Sequence, residues 1–193
     1  MSAFDAPWAL CGGWAVDLWL GGAQSRRHGD LDITVFEPDQ RAIFDHLAGW
    51  SLVAHDPAVD QDTQAAWDGR RLDLPAHVHA KGPEEFDLEL IFNRDGRGSW
   101  VLNSEPALAL PLERAIQPFA GGVPLAAPEV LLFYKSRICR GCPGCSAPNR
   151  LRRRDEADFR ALTPRLARGQ RRWLREALAL CEPGHPWLPL LAD

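Results

Sequence analysis

The sequence predicts an α+β protein, in which a small mixed β-sheet flanked by helices is followed by a helical C-terminal part. Before residue 127, short apolar runs alternate with turn residues, whereas the later segments have the apolar period of helices. Residues Phe86–Phe92 alternate apolar and polar side chains, as a half-buried strand does. We therefore expect an α+β domain over residues 1–126 and a helical region over residues 127–193, which contains a cysteine-rich loop at 138–150.

The first expected elements are a strand, a helix and a second strand. Pro7–Cys11 is expected to end in a short buried strand, which Gly12 and Gly13 interrupt. A short helix begins at Trp14 and stops at the glycine pair 21–22, because glycine is common just past a helix end. Asp30–Phe36, with its apolar run after two acidic residues, is typical of a strand.

A helix and three strands are expected next. Pro38–Leu47 has a proline suited to a first helical turn and apolar residues that share one face. Leu52–His55 and Ala65–Trp67 are short candidate strands. The strand Phe86–Phe92 is expected to end at the turn-forming run Asn93–Gly96.

The C-terminal region is expected to consist mainly of three helices. The first is expected to open at Pro128 and to include VLLFYKSR. Two more are expected over about 154–166 and 170–181, where leucine and alanine recur at helical spacing.

Composition is that of an ordinary globular protein. The chain has 193 residues, of which 46% are hydrophobic and 25% charged, with a formal net charge of −4. This charge gives no general attraction to nucleic acid or membrane surfaces, and no apolar run approaches membrane-spanning length. The first ten residues lack the pattern of a signal peptide, and five cysteines cannot form a complete disulfide framework, so we expect a cytoplasmic protein.

Two pairs of carboxylates are the strongest chemical signal. Asp30 and Asp32 project to one side of a strand, and Asp87 and Glu89 share one face of another, which we expect to be its neighbour. Such charges repel one another unless a cation neutralises them, and Mg²⁺ takes oxygen ligands while bridging to substrate phosphates. The glycine pair 12–13 stands at a strand-to-helix junction, where backbone N–H groups can approach a phosphate.

Each of these features alone has a simpler interpretation. Asp-x-Asp is common at exposed strand ends, a glycine pair is usually a turn, and Asp87 and Glu89 could lie on the solvated face of an edge strand. Their order and spacing together predict a site for phosphoryl transfer with two Mg²⁺ ions.

These residues also carry a family resemblance. The run GGWAVDLWLGGAQSRRHGDLDITVF resembles the signature of the nucleotidyltransferase superfamily that includes DNA polymerase β. It is most similar to the aminoglycoside 2″-adenylyltransferase-like and lincosamide nucleotidyltransferase-like branch, as are the later segments GGVPLAAPEVLLFYKSR, RRDEADFRALTPRL, QRRWLREAL and GHPWL. The resemblance covers roughly residues 7–191 and implies a nucleotidyltransferase fold. It also implies transfer of AMP, or another nucleoside monophosphate, from a nucleoside triphosphate such as ATP to a hydroxyl group.

The resemblance also implies roles for individual residues. Gly12 and Gly13 would hold the triphosphate through their backbone, and Asp30 and Asp32 would bind Mg²⁺. A third carboxylate would complete the metal site and could act as the base that deprotonates the acceptor. Asp87 is the first choice, Glu89 the second and Asp73 the third.

Three basic residues are further candidates for the nucleotide site. Lys135 could reach a phosphate oxygen, or it could extend its ammonium group to solvent at a helix end. Arg27 and His28 precede the Asp-x-Asp pair, and either could contact phosphate or acceptor.

The cysteine-rich loop departs from the family pattern. Cys139, Cys142 and Cys145 have the spacing of thiolate metal ligands, and Cys181 or His185 could supply a fourth. A structural Zn²⁺ is therefore one hypothesis. An iron–sulfur cluster lacks the usual next cysteine, and a glycine- and proline-containing loop with incidental cysteines needs no metal.

The acceptor is expected to be a small hydroxyl-bearing molecule, with an aminoglycoside as the family-level expectation. Alternatives are a protein or tRNA acceptor in a toxin–antitoxin setting, and an inert zinc-binding regulatory protein of the same fold. The C-terminal arginines could form a groove for nucleic acid, but aromatic residues that would stack on bases do not interleave with them. The sequence does not specify an oligomeric state.

Overall fold

A computed structural model provides the structure of the protein and describes residues 1, 3–55, 64–83, 86–103, 105–137 and 151–192. The chain forms two compact units: one contains residues 1–15 and 24–126, and the other contains residues 16–23 and 127–193. The combination of a mixed sheet with helices confirms the predicted α+β class. The division at residues 126 and 127 into two domains stays a prediction.

The first unit is organised around a mixed β-sheet. Its strands follow the order β4-β3-β5-β6-β2-β1-β10-β9, and β7 and β8 continue from β6. The pairs β2–β6 and β1–β10 are parallel, and the other pairs are antiparallel. The strands are β1 (Ala9–Leu10), β2 (Leu31–Phe36), β3 (Ser51–His55), β4 (Gln64–Ala66), β5 (His77–Lys81), β6 (Asp87–Asp95), β7 (Ser99–Leu102), β8 (Glu105–Pro111), β9 (Ile116–Pro118) and β10 (Pro124–Ala126).

The two faces of the central strands differ in chemistry. On one face, Ile33 of β2 pairs with Leu90 of β6, and Leu90 pairs with Val78 of β5; all three are buried. On the other face, Asp32 pairs with Glu89, and Glu89 with His79. Because side chains alternate along a strand, one register places an apolar core on one side and a polar surface on the other.

Strand β6 runs further than the sequence predicts. The expected turn at Asn93–Gly96 is wrong over its first three residues, which continue the strand to Asp95. Asn93 is buried, and its side chain donates to the hydroxyl of Thr34 and accepts from the indole N–H of Trp100 at 3.1 Å. These tertiary partners satisfy an amide that, in a short peptide, would favour a turn.

Helices follow the predicted order, with shifted bounds. They are α1 (Gly12–Trp19), α2 (Gln40–His46), α3 (Leu112–Ala115), α4 (Pro128–Lys135), α5 (Arg153–Leu162) and α6 (Arg168–Cys181). The segment 37–39, which contains Pro38, forms a turn of 3₁₀ helix before α2. Within the described part of the chain, no helix is both long enough and apolar enough to cross a membrane.

The second unit has a helical core with internal polar contacts. Leu132 of α4, Leu162 of α5 and Leu174 of α6 are fully buried. Phe159 and Trp187 stack with their ring centroids 4.1 Å apart. Gln170 donates to the carboxylate of Glu129 at 2.8 Å, so a polar contact joins α6 to α4.

Leu90→Ala is expected to destabilise the first unit by about 2–5 kcal/mol, because Leu90 is 0% exposed and a truncated core leucine leaves a cavity. Phe86→Ala is the control: Phe86 precedes the same strand and is 53% exposed, so a change of about 0.5 kcal/mol or less is expected. Urea unfolding followed by tryptophan fluorescence measures both. Equal losses would contradict the burial of Leu90 and the exposure of Phe86.

Candidate active site

Three carboxylates converge at the start of β2. Asp30 directly precedes the strand, Asp32 lies within it, and Glu89 stands opposite Asp32 on β6. One oxygen atom from each lies within 4.8 Å of the others. Since the pair β2–β6 is parallel and in register at these residues, the sheet itself brings the three groups together.

The cluster perturbs the protonation of Glu89. Burial above all, together with the negative charges of Asp32 and Asp30 and a hydrogen bond with Asp32, raises the pKa of Glu89 to about 7. Fixed like charges in a partly desolvated place disfavour a further charge. A proton or a cation at this position therefore relieves a repulsion that the fold creates.

The structure places the three candidates for the third carboxylate in different surroundings. Glu89, the second choice, is in the cluster, whereas Asp87, the first choice, is exposed and pairs across the sheet with Lys81. Asp73 is exposed in a loop and is also outside the cluster. Residue spacing alone puts Asp87 and Glu89 on the same face, and only the strand pairing decides which one stands opposite Asp32.

The glycine pair makes room for two of the polar side chains. Gly12 has φ +64°, and a Cβ atom there would lie 1.6 Å from Oδ2 of Asp32. A Cβ atom at Gly13 would lie 2.4 Å from Nδ1 of His28. These residues stand within the first turn of α1 rather than before it, and their missing side chains let Asp32 and His28 approach the helix start.

The predicted basic residues lie in different surroundings. His28 packs against Trp14 with ring centroids 4.8 Å apart, and Arg27 is exposed. In the second unit, Nζ of Lys135 lies 2.8 Å from a carboxylate oxygen of Asp158 and 3.4 Å from one of Asp155. The roles of all three at a nucleotide stay predictions.

Three histidines that are not among the predicted site residues stand on the same sheet face. His55 lies on β3, and His77 and His79 lie on β5. Burial above all, together with the neighbouring His55 and His79, lowers the pKa of His77 to about 4. The alternation in HVHAK was the available signal, since it matches a strand with histidines on one face.

A pocket of about 420 Å³ opens beside both groups. Asp30, His55, His79, Lys81 and Asp87 are among the residues that line it. The wall therefore combines acidic, basic and imidazole groups, which suits a polar ligand.

The predicted zinc ligands are only partly within the described chain. Cys139, Cys142 and Cys145, in the loop 138–150, lie outside the described residues, so the zinc hypothesis stays a prediction. Both ring nitrogens of the buried His185 have partners, the carbonyl of Ser136 at 2.9 Å and the backbone N–H of Trp187 at 3.1 Å. His185 is therefore engaged in the packing of the second unit.

Comparison with known proteins supports the class that the motif predicts. The family model described as aminoglycoside-2″-adenylyltransferase matches residues 1–86, which include the glycine pair, Asp30 and Asp32. No curated protein sequence shows a significant match.

Solved structures share the fold at low sequence identity. A lincomycin-bound lincosamide antibiotic adenylyltransferase, LnuA, is 18% identical, with 81% of this chain and 85% of that chain covered and a TM-score of 0.50. ANT(2″)-Ia in complex with adenylyl-2″-tobramycin is also 18% identical, with 90% of this chain and 88% of that chain covered and a TM-score of 0.53.

The fold is therefore that of the nucleotidyltransferases. Together with the family match over residues 1–86, this likeness supports the predicted resemblance to the aminoglycoside and lincosamide adenylyltransferase branch.

In the absence of divalent cations, the carboxyl group of Glu89 is expected to titrate with a midpoint near 7. Asp30→Asn should lower this midpoint, because the charge of Asp30 is one of its causes. A ¹³C NMR titration of the side-chain carboxyl groups measures both, and Glu89→Gln assigns the signal. A midpoint at the ordinary glutamate value would contradict the cluster.

The same shift predicts a pH dependence of stability. The folded pKa lies above the ordinary value of 4.5, so the bound proton stabilises the fold fully below about pH 4.5. This contribution is lost as the pH rises to about 7 and above. In metal-free urea unfolding, Glu89→Gln should remove this part of the pH dependence; an unchanged profile would contradict it.

Proposed function

We propose that this chain transfers AMP from Mg-ATP to a hydroxyl group of a small, polar antibiotic of the aminoglycoside type. The convergence of Asp30, Asp32 and Glu89 in a nucleotidyltransferase fold is the observation that carries the proposal. An acceptor oxygen would attack the α-phosphorus, the bond to the β-phosphate would break, and pyrophosphate would leave.

The residues of the cluster fit divalent cations. Their donors are carboxylate oxygens, the ligands that Mg²⁺ prefers, and their mutual repulsion is relieved by positive charge. Asp30 and Asp32 would hold the ions, and Glu89 would complete the set. When bound, two Mg²⁺ ions would neutralise charge on the triphosphate and on the attacking oxygen.

Glu89 is suited to receive the proton of the acceptor hydroxyl. As a carboxylate beside Asp30 and Asp32, it would be positioned to take the proton that the attacking hydroxyl loses, as a general base does. Asp87 lines the neighbouring pocket and, being exposed, would contact the acceptor rather than the ions.

The glycine pair and the basic residues would bind the nucleotide. Gly12 and Gly13 would offer backbone N–H groups to phosphate at the start of α1, where the helix dipole favours negative charge. Arg27 and His28 would contact phosphate or acceptor, and a role for Lys135 of the second unit as a phosphate-binding point charge stays a prediction.

Charge complementarity supports an aminoglycoside as acceptor. The pocket contains Asp87, whose exposed carboxylate would attract the ammonium groups of a polycation, and the chain has a net charge of −4. A cytoplasmic location, where ATP is available, stays a prediction.

Asp30→Asn and Asp32→Asn are each expected to reduce turnover by about 10³-fold or more, since loss of a metal ligand removes several kcal/mol of charge stabilisation. Asp73→Asn, an exposed carboxylate outside the cluster, is the control and should retain activity. Pyrophosphate release measures turnover, and circular dichroism verifies folding. A fully active Asp30→Asn/Asp32→Asn double variant would contradict the proposal.

Calorimetry separates nucleotide binding from chemistry. A non-hydrolysable ATP analogue is expected to bind wild type in the presence of Mg²⁺ and to bind Asp30→Asn at least about tenfold more weakly. Binding that is independent of both Mg²⁺ and Asp30 would contradict the assignment of the cluster.

With ATP and Mg²⁺, tobramycin is expected to gain one AMP group, whereas lincomycin, which lacks a polycationic core, is expected to react more slowly. Mass spectrometry of the products and pyrophosphate release measure both reactions. Asp87→Asn should raise KM for tobramycin more than KM for ATP. AMP transfer to protein or tRNA alone would assign the chain to a different acceptor class.

A further inference from the structure

The three histidines form a compact group that the proposed transfer reaction does not use. His55 of β3 and His77 of β5 are directly paired across the sheet, and His79 follows His77 on the same face. Regular strand pairing, rather than a loop, therefore determines their separation. All three are half-buried and so are partly shielded from water.

Their geometry suits a single metal ion. One nitrogen from each ring lies within 4.8 Å of the others. The ring centroids are 4.6 Å apart for His55–His77, 4.7 Å for His55–His79 and 5.6 Å for His77–His79. Two nitrogens on one tetrahedral Zn²⁺, each at about 2.0–2.1 Å, lie about 3.4 Å apart, so small rotamer adjustments would bring the three into contact with one ion.

The imidazole nitrogens of the three histidines determine which class of metal ion would bind. Neutral imidazole suits Zn²⁺, Cu²⁺ and Ni²⁺, whereas Mg²⁺ prefers the carboxylate oxygens on the adjacent strand. The three imidazoles lie on one half-buried sheet face, so their ring nitrogens are grouped donors of this class.

The surroundings resemble those of an open metal site rather than a closed one. Nε2 of His77 lies 3.9 Å from Oε1 of Glu89, and a carboxylate next to a ligating imidazole commonly orients it. His55 and His79 line the pocket, so a fourth position would face space that water or a ligand can enter. Three protein ligands and one open position are typical of reactive zinc sites.

We propose that His55, His77 and His79 bind one zinc-class transition metal ion, with a fourth coordination position open to the pocket. Glu89 lies between this site and Asp32 and so borders both ligand sets. An ion on the histidines would place positive charge on the pocket wall next to the carboxylate cluster. The proposal rests on the histidine geometry and does not require the AMP transfer reaction.

Metal binding by the full chain tests the site. The test protein is the full chain with the substitutions Cys139→Ser, Cys142→Ser and Cys145→Ser, which remove the predicted thiolate ligands. Excess Mg²⁺ is added to occupy the carboxylate cluster. Co²⁺ is the probe, since its visible absorption reports nitrogen ligation, and Zn²⁺ competes for it. We expect about one Co²⁺ per chain, displaced by stoichiometric Zn²⁺.

His77→Gln and His79→Gln should each weaken Co²⁺ binding by about 100-fold or more, because each removes one of three ligands. His46→Gln is the matched control in the same unit: His46 packs on Phe4, away from the cluster, and should leave binding unchanged. Zn²⁺ should raise the melting temperature of wild type but not of the two ligand variants. Their metal-free melting curves verify that they fold.

Absence of stoichiometric Co²⁺ binding, or binding that survives both ligand substitutions, would overturn the proposal. Either result is independent of AMP transfer, which is measured separately with ATP, acceptor and Mg²⁺ and without a transition metal.

Discussion

The parallel pairing of β2 and β6 is the constraint on which the first unit and its candidate site depend. Its register aligns Ile33 with Leu90 on the buried face and Asp32 with Glu89 on the polar face. If the register of β2 against β6 shifted by one residue, the side chains of one strand would move to the opposite face of the sheet. Apolar side chains would then be exposed and the carboxylates separated. The burial of the core therefore stabilises the same register that assembles the acidic cluster.

The cluster places like charges together, and neighbouring residues accommodate them. Gly12 has no Cβ and so leaves space for the Asp32 carboxylate, while burial and the adjacent negative charges favour the protonated form of Glu89. Such a site is poised to exchange a proton for a cation. This property links a local electrostatic cost in the folded chain to the Mg²⁺-dependent chemistry that we propose.

The polar sheet face carries two sets of donor atoms of different chemistry. Oxygen donors stand at Asp30, Asp32 and Glu89, and nitrogen donors stand at His55, His77 and His79. Hard cations prefer the first set and transition metals the second, so adjacent strands can separate two kinds of ion. Glu89 borders both sets, and its protonation would respond to an occupant of either one.

The sequence by itself determined the α+β class, most helices, the glycine pair and the Asp30-x-Asp32 motif, because these depend on local periodicity, turn chemistry and short spacings. It did not determine which carboxylate stands opposite Asp32, since Asp87 and Glu89 share a face and only the pairing of β2 with β6 places Glu89 there. It also missed the continuation of β6 through Asn93, whose partners Thr34 and Trp100 are distant in sequence. Likewise, the grouping of His55 with His77 and His79 required tertiary structure, because non-local strand pairing brings together residues whose separation along the chain carries no signal.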